Sequence, residues 1–217
     1  MWGAADMAIP TKEEMYAALC ERHGADLQAK FAAGSVAVCG LGGLGSNVAI
    51  HLARAGVGRL HLIDFDRVDI SNLNRQQYFP AQLGTYKTEA LSETLHRIAP
   101  YCEITAETVK LTEENTPQLL AGFPIICEAF DRADQKAMLV NCVLEHLPQA
   151  YLVSASGMAG IDTANTIQTR RITSHFYLCG DGKSDVADGL GLISARVAVC
   201  AAHEAHIILR LLSGQEN

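Results

Sequence analysis

Apolar positions fall into two alternating textures along the chain. Short runs of consecutive apolar residues read as buried strands; longer stretches with apolar residues every three or four positions read as amphipathic helices. Strands are predicted at Val36-Ala-Val-Cys39, Arg59-Leu-His-Leu-Ile63, Glu103 to Val109, Pro124-Ile-Ile-Cys-Glu128 and Tyr151 to Ala155. Between them, Leu44 to Ala55 places Leu44, Val48 and Leu52 on one face and closes at Gly56. Lys87 to Ala99 is stopped by Pro100, Thr112 to Ala121 has helical spacing, and Ala133 to Leu147 ends at Pro148. Upstream, Thr11-Lys-Glu-Glu14 has the form of a capping box, and a helical pattern runs to about Phe31 with a break at Gly24.

Strand and helix alternate through residue 155. That order predicts an α/β fold: a Rossmann-like, doubly wound, mainly parallel sheet with helices on both faces. The texture then changes. Thr166 to Ile172 and His175 to Leu178 predict a C-terminal antiparallel extension, and Cys179 to Gly191, rich in Gly and Asp, predicts a loop. Leu192 to Leu212 is a long C-terminal helix in which Arg196, His203 and Arg210 recur, which suits core or dimer interface better than membrane. The expected organisation is an N-terminal helical segment, 1–34, followed by a single nucleotide-binding domain, 35–217.

With 217 residues, 49% apolar and 19% charged, the chain can build one full core. A net charge of −7 argues against a general nucleic-acid or membrane-surface binder. Cysteines at 20, 39, 102, 127, 142, 179 and 200 are odd in number and form no C-x-x-C pair, so neither a disulfide framework nor a four-cysteine zinc site is expected. A reducing, cytoplasmic location follows. The first ten residues, MWGAADMAIP, have neither the basic region nor the apolar core of a secretory signal. Phe31 to Ala53 carries no Lys, Arg, Asp or Glu, but its five glycines, Ser-Asn pair and His divide it into strand, turn and helix rather than a membrane span.

The candidate chemistry begins where a strand meets a helix at Gly40-Leu-Gly42-Gly43-Leu-Gly45. Gly40 permits the tight turn, Gly42 and Gly43 let backbone N–H groups approach a phosphate, and Gly45 permits close helix–strand packing. The helix N-terminus then faces the anion. Asp64, 24 residues past Gly40 at the end of the next strand, can accept from ribose hydroxyls. A dehydrogenase needs little more there. The dense run Asp64-Phe-Asp66-Arg-Val-Asp-Ile-Ser-Asn72-Leu-Asn74-Arg75-Gln76 instead suits a triphosphate, for which Arg75 offers a fork of donors and Lys87 a point charge. The competing roles are a salt bridge from Arg75 to Asp66 or Asp69 and a solvated helix position for Lys87. Asp131 follows the fourth strand and can hold Mg²⁺ that bridges phosphates, or cap the helix that begins at Ala133.

The turn GLGGLGSN, the helix end LARAGVG, the segment DFDRVDISNLNRQ and the later lysine resemble the ThiF/MoeB family, bacterial relatives of ubiquitin-activating enzymes. The resemblance runs from about residue 30 to 212, and SASGMAG, NTIQTRR and HFYLCGDG are most similar to a compact ThiF subgroup. It implies ATP- and Mg²⁺-dependent adenylation of the C-terminal glycine of a small ubiquitin-like sulfur carrier, ThiS, in thiamine thiazole synthesis, by a homodimer. A molybdopterin-carrier adenylyltransferase and a tRNA threonylcarbamoyladenosine dehydratase are the alternative branches. By position, Asp64 would hold ribose, with Asp66 beside it; Asn72, Arg75, Gln76 and Lys87 would line the triphosphate, and Asp131 would face Mg²⁺. Three features depart from the family pattern. Phe130-Asp131-Arg132 stands where Thr-Asp-Asn is usual, the paired C-x-x-C motifs are absent so zinc is not carried over, and the N-terminal arginine that reaches the partner's site has only Arg22 as a stand-in. Some relatives pass the acyl group to a cysteine in the crossover region; Cys179, at the start of the Gly/Asp-rich stretch, is the candidate thiol here, the alternative being a strand-end cysteine.

Other constellations carry less. Cys200-Ala-Ala-His203-Glu-Ala-His206 misses the H-E-x-x-H zinc spacing, and Ser154-Ala-Ser156-Gly157 lacks the G-x-S-x-G elbow. The readings from other classes are an NAD-dependent oxidoreductase and an inactive binding scaffold.

Overall fold

The predicted strands at the centre of the sheet form because neighbours on both sides bury them, whereas the one at Glu103–Glu107 is an edge and only partly buried. In the computed structural model, which describes residues 9–215, β1 (Ser35–Cys39) pairs in parallel with β2 (Arg59–Ile63) on one side and β4 (Ile125–Glu128) on the other, with Val36 opposite Leu60 and Ile125. β3 (Glu103–Glu107) extends the sheet beyond β2, and β5 (Tyr151–Ala155) extends it beyond β4. β7 (Phe176–Gly180) adds to β5 in parallel, and β6 (Gln168–Arg171) pairs with β7 in antiparallel fashion. The order is β3-β2-β1-β4-β5-β7-β6, so the antiparallel extension is continuous with the main sheet. The expected doubly wound architecture is present.

Period-2 alternation splits the core into two layers. Val36, Val38, Leu60, Leu62, Val153 and Ala155 face a cluster built with α3 (Gly43–Arg54), α4 (Lys87–Ile98) and α7 (Ser194–Leu212). Ala37, Cys39, Ile126 and Leu152 face the other cluster, built with α5 (Thr116–Leu119) and α6 (Ala133–His146). Each fully buried Leu, Ile or Val contributes about 1.5–3 kcal/mol. Of the two sheet edges, β3 and β6, the latter is exposed throughout and carries Arg170 and Arg171, charges that discourage pairing with another chain.

α1 (Lys12–His23) starts at the expected capping box, with Thr11 and Glu14 bonded reciprocally, and breaks at Gly24 (φ 85°) before α2 (Ala25–Ala32). Residues 1–8 of the N-terminal segment, and with them most of the MWGAADMAIP reading, lie outside the described residues, as do 216–217. Among the described residues, no helix is long and apolar enough to cross a membrane. Phe31 to Ala53 divides into the end of α2, β1, the glycine turn and α3.

Several ends differ by a residue or two from the sequence pattern, and two departures have a clear physical cause. The helix expected over 112–121 shrinks to Thr116–Leu119, because Pro117 lacks an N–H and its ring obstructs the carbonyl four residues back. Cys179 and Gly180 belong to β7 rather than to the following loop. Cys179 is paired on both sides, with Ala155 of β5 and Thr169 of β6, and this double pairing carries the strand past Leu178.

Candidate functional site

Strand order reverses between β1 and β4, and in open α/β sheets ligands bind beyond the carboxyl ends of the strands at such a point. A cleft of about 660 Å³ opens there. The glycine turn forms its floor. Gly40 has φ 90°, and a Cβ on it would lie 2.9 Å from the Ala129 backbone. Gly42 caps α3, whose first N–H groups have no partner within the helix. Gly45 does not line the cleft; its Cα packs on the Gly40 carbonyl, which would stand 1.8 Å from an added Cβ. Tyr78 donates its hydroxyl to the Leu41 carbonyl at 2.8 Å and pins the turn.

The expected polar set converges on this floor: Gly40, Gly42, Gly43, Asp64, Asp66, Asn72, Arg75, Gln76, Lys87 and Asp131 all line the cleft. Asp64 is 7% exposed and accepts from Leu41 N–H at 2.7 Å and Asp66 N–H at 2.8 Å. Burial raises its pKa, opposed by Lys87 and by those two N–H groups. Lys87, first in α4, is buried rather than solvated; its Nζ lies 2.9 Å from Asp66 Oδ2. Arg75 makes no salt bridge to Asp66 or Asp69. Instead its Nη1 donates to the Ser71 carbonyl and to Asn74 Oδ1, at 3.1 and 2.8 Å. Asn47, at the start of the second turn of α3, donates to the Arg75 carbonyl at 3.2 Å and accepts from the Gln77 side-chain amide at 2.7 Å, which knits the 71–78 segment to the glycine helix.

Across the cleft, Asp131 is exposed and lies before α6. It is not the cap: Arg132 occupies that position, with no side-chain capping bond. Sequence reasoning missed the pair beneath it. Glu128, at the end of β4, has no exposed surface, and Lys136 of α6 reaches it at 2.9 Å. The signal was present, a lysine five residues after Asp131, but a lone helical lysine defaults to solvent. Missed as well was the far wall, where Ser156 to Ala159 and Ser184 to Val186 line the cleft from the two loops that flank β6 and β7.

Cys179 does not fit the role of a mobile exposed thiol. It is 0% exposed on β7, and burial, assisted by the nearby Glu204 carboxylate, pushes its thiol up to about 12. At neutral pH a thiol so placed carries almost no thiolate, the nucleophilic form. Arg22 is exposed on the last turn of α1. Beside it, His23 bonds Gln28, which donates to the Gly56 carbonyl at the opposite end of α3 from the glycine turn.

Two buried atoms in the cleft residues indicate what the site accepts. Arg75 Nε and Gln76 Oε1 have no hydrogen-bond partner among the described residues. Each such orphan costs about 1–3 kcal/mol, which a ligand offering both an anionic acceptor and a donor would relieve. The helix N-terminus and Lys87 add positive potential. These features fit a nucleotide with its phosphates. Among the described residues no group of three or more His, Cys, Asp or Glu is placed to hold a metal. A divalent ion beside Asp131 would therefore draw further ligands from phosphate oxygens and water, the usual habit of Mg²⁺.

A parallel sheet with a glycine turn at its switch point, and a carboxylate closing the next strand, defines a Rossmann-like nucleotide-binding protein. The ThiF family model matches residues 16–217, and the chain belongs to the ThiF family. It is 35% identical over 137 residues to "Adenylyltransferase and sulfurtransferase MOCS3" of Aedes aegypti, covering 62% of this chain and 31% of that protein. It is 34% identical over 146 residues to "Molybdopterin-synthase adenylyltransferase" of Salmonella typhimurium, covering 66% and 57%. The chain thus spans between about a third and somewhat over half of the length of these curated relatives. In fold it is similar to the E. coli tRNA N6-threonylcarbamoyladenosine dehydratase TcdA solved in complex with ATP, with a TM-score of 0.84 over 96% of this chain and 98% of that one, at 22% identity.

Proposed function

We propose that the chain adenylates a carboxylate: the C-terminal glycine of a small ubiquitin-like sulfur carrier, of the ThiS type. The observation that carries this reading is the pair of orphaned buried atoms on Arg75 and Gln76, set beside the glycine turn and Lys87. The curated relatives named adenylyltransferases support the chemistry. The net charge of −7 disfavours general nucleic-acid binding but not a local site for tRNA, so action on tRNA is the second reading.

ATP, as substrate, supplies an α-phosphorus for attack by the carrier carboxylate and pyrophosphate as the leaving group, and Mg²⁺ bound with it neutralises part of the phosphate charge. The bond from the carboxylate oxygen to the α-phosphorus forms as the bond to the bridging oxygen of pyrophosphate breaks. The chain's own residues bind and orient. Asp64 accepts from ribose hydroxyls while its remaining lone pairs fix Leu41 and Asp66. The N-terminus of α3, Arg75, Asn72, Gln76 and Lys87 take the phosphates, Asp66 keeping the Lys87 ammonium in place. Asp131 would help hold the Mg²⁺ that accompanies ATP. No general base is required, because a carboxylate is already ionised at neutral pH. Cys179 takes no part.

The test is carrier-dependent ATP–pyrophosphate exchange with a panel of Gly-Gly-ending carriers, ThiS-type and molybdopterin-type included. Arg75→Ala and Lys87→Ala should each lower exchange more than tenfold, since a preorganised donor at developing charge contributes about 2.7–4 kcal/mol. Unchanged exchange in both variants would reject the assignments.

A further inference from the structure

We propose that Glu128 and Lys136 are positioning residues that set Asp131 in the cleft by clamping the peptide units on either side of Phe130. The inference rests on the reading of Asp131 as the carboxylate that faces the Mg²⁺ of bound ATP.

Glu128 Oε1 accepts the Phe130 N–H at 2.8 Å. Lys136 Nζ donates to the Phe130 carbonyl at 2.9 Å. The two side chains bond each other, Nζ lying 3.1 Å from Oε1 and 2.9 Å from Oε2, and the Ser154 hydroxyl donates to the same carboxylate. Both polar groups of one residue's backbone are thus held by the two ends of a single ion pair. Asp131 comes next in the chain, exposed, and no hydrogen bond holds its side chain among the described residues. Its placement is inherited from the backbone beneath it.

Two observations separate this role from others. Lys136 lines the cleft, yet its three donors are engaged by Glu128 and Phe130, so it acts through the turn rather than on a phosphate. A buried ion pair gains little stability over apolar residues of the same volume. What the ionic pair adds is directed hydrogen bonding to the turn that carries Asp131.

The experiment is calorimetric ATP binding with excess Mg²⁺ and with EDTA, alongside thermal melts. In the wild type, Mg²⁺ should tighten ATP binding at least tenfold. Lys136→Met and Asp131→Asn should each lose that gain while the EDTA Kd stays within twofold. The double variant should be no weaker than either single, because Lys136 acts through Asp131. Lys136→Arg, which keeps donors, should retain most of the gain. Should Lys136→Met fail to fold, Glu128→Gln/Lys136→Met removes both charges together and should melt near the wild type, yet lack the Mg²⁺ response. A wild-type Mg²⁺ response in the clamp variants, or losses that add with Asp131→Asn, would overturn the positioning role alone. A wild type that binds no ATP would overturn the functional reading and the clamp together.

Discussion

Glu204 lies on α7 with no exposed surface; one carboxyl oxygen is 3.9 Å from Cys127 Sγ and the other has no partner among the described residues. Burial pushes its pKa well above the ordinary carboxylate range; Lys136 pulls it down and Glu128 pushes it further up. A carboxyl raised in the fold stays protonated while the unfolded chain ionises, so the unfolded state binds fewer protons and stability falls as pH rises above the unfolded value of about 4.3. Glu204→Gln removes that dependence. Its stability advantage over the wild type should grow as pH rises above the unfolded value of about 4.3, with a limiting slope of about 1.4 kcal/mol per pH unit; urea melts from about pH 5 upward check it, and a constant difference would show that burial leaves the Glu204 pKa unraised. Sequence gave no hint of this burial, since His203-Glu204 sits in a helix where either face was open to solvent. Cys179 was hidden in the same way: strand end and loop start look alike until the pairing is known.

Among the elements, the glycine turn was the most legible. Its four glycines nevertheless have different tasks, which predict different failures. Gly45→Ala places a Cβ 1.8 Å from the Gly40 carbonyl, a backbone atom that cannot step aside. It should cost more than about 2 kcal/mol and lower the melting temperature. The Cβ of Gly42→Ala would meet only Gln76 Nε2, at 3.7 Å, so the fold should melt as the wild type does while ATP affinity drops at least tenfold, because the methyl occupies the approach to the helix N–H groups. Calorimetry and melts on both variants separate the two tasks; equal effects on stability would contradict them. The 112–121 helix shows the opposite case. Its apolar spacing was helical, but Pro117 decided the start, a local steric fact that outweighs periodicity.

On the scale of the whole molecule, Arg196 ties three separate pieces of chain together. It is 5% exposed, and donates to the Asp162 and Thr163 carbonyls, to Thr166 Oγ1 and to Asp181 Oδ2 at 2.7, 2.8, 3.1 and 2.6 Å. Both loops of the far cleft wall are thereby fastened to α7. Burial works to raise the Asp181 pKa, but hydrogen bonds from Ser184, Lys183 and Arg196 outweigh it and bring it to about 2. For a depressed carboxyl the stabilisation is present above the unfolded value of about 3.9 and lost as pH falls through about 2. The loss should be roughly 2.6 kcal/mol across that window. Asp181→Asn should flatten the acid limb of a urea-melt series between pH 5 and 2; an unchanged limb would place the acid sensitivity elsewhere.

The sequence by itself determined the order of strands and helices, the parallel class of the sheet and the glycine-turn side of the cleft with Asp64, because each is written in short-range patterns: period 2 or 3.6, glycine where φ is positive, and a carboxylate at a strand end. Only the tertiary structure decided that Lys136 is tied to Glu128 and the Phe130 carbonyl, that Glu204 is buried with its pKa raised, and that Cys179 is sealed within β7. Those outcomes depend on the distance between residues far apart in the chain and on the water removed from around them, and neither quantity is encoded in local spacing.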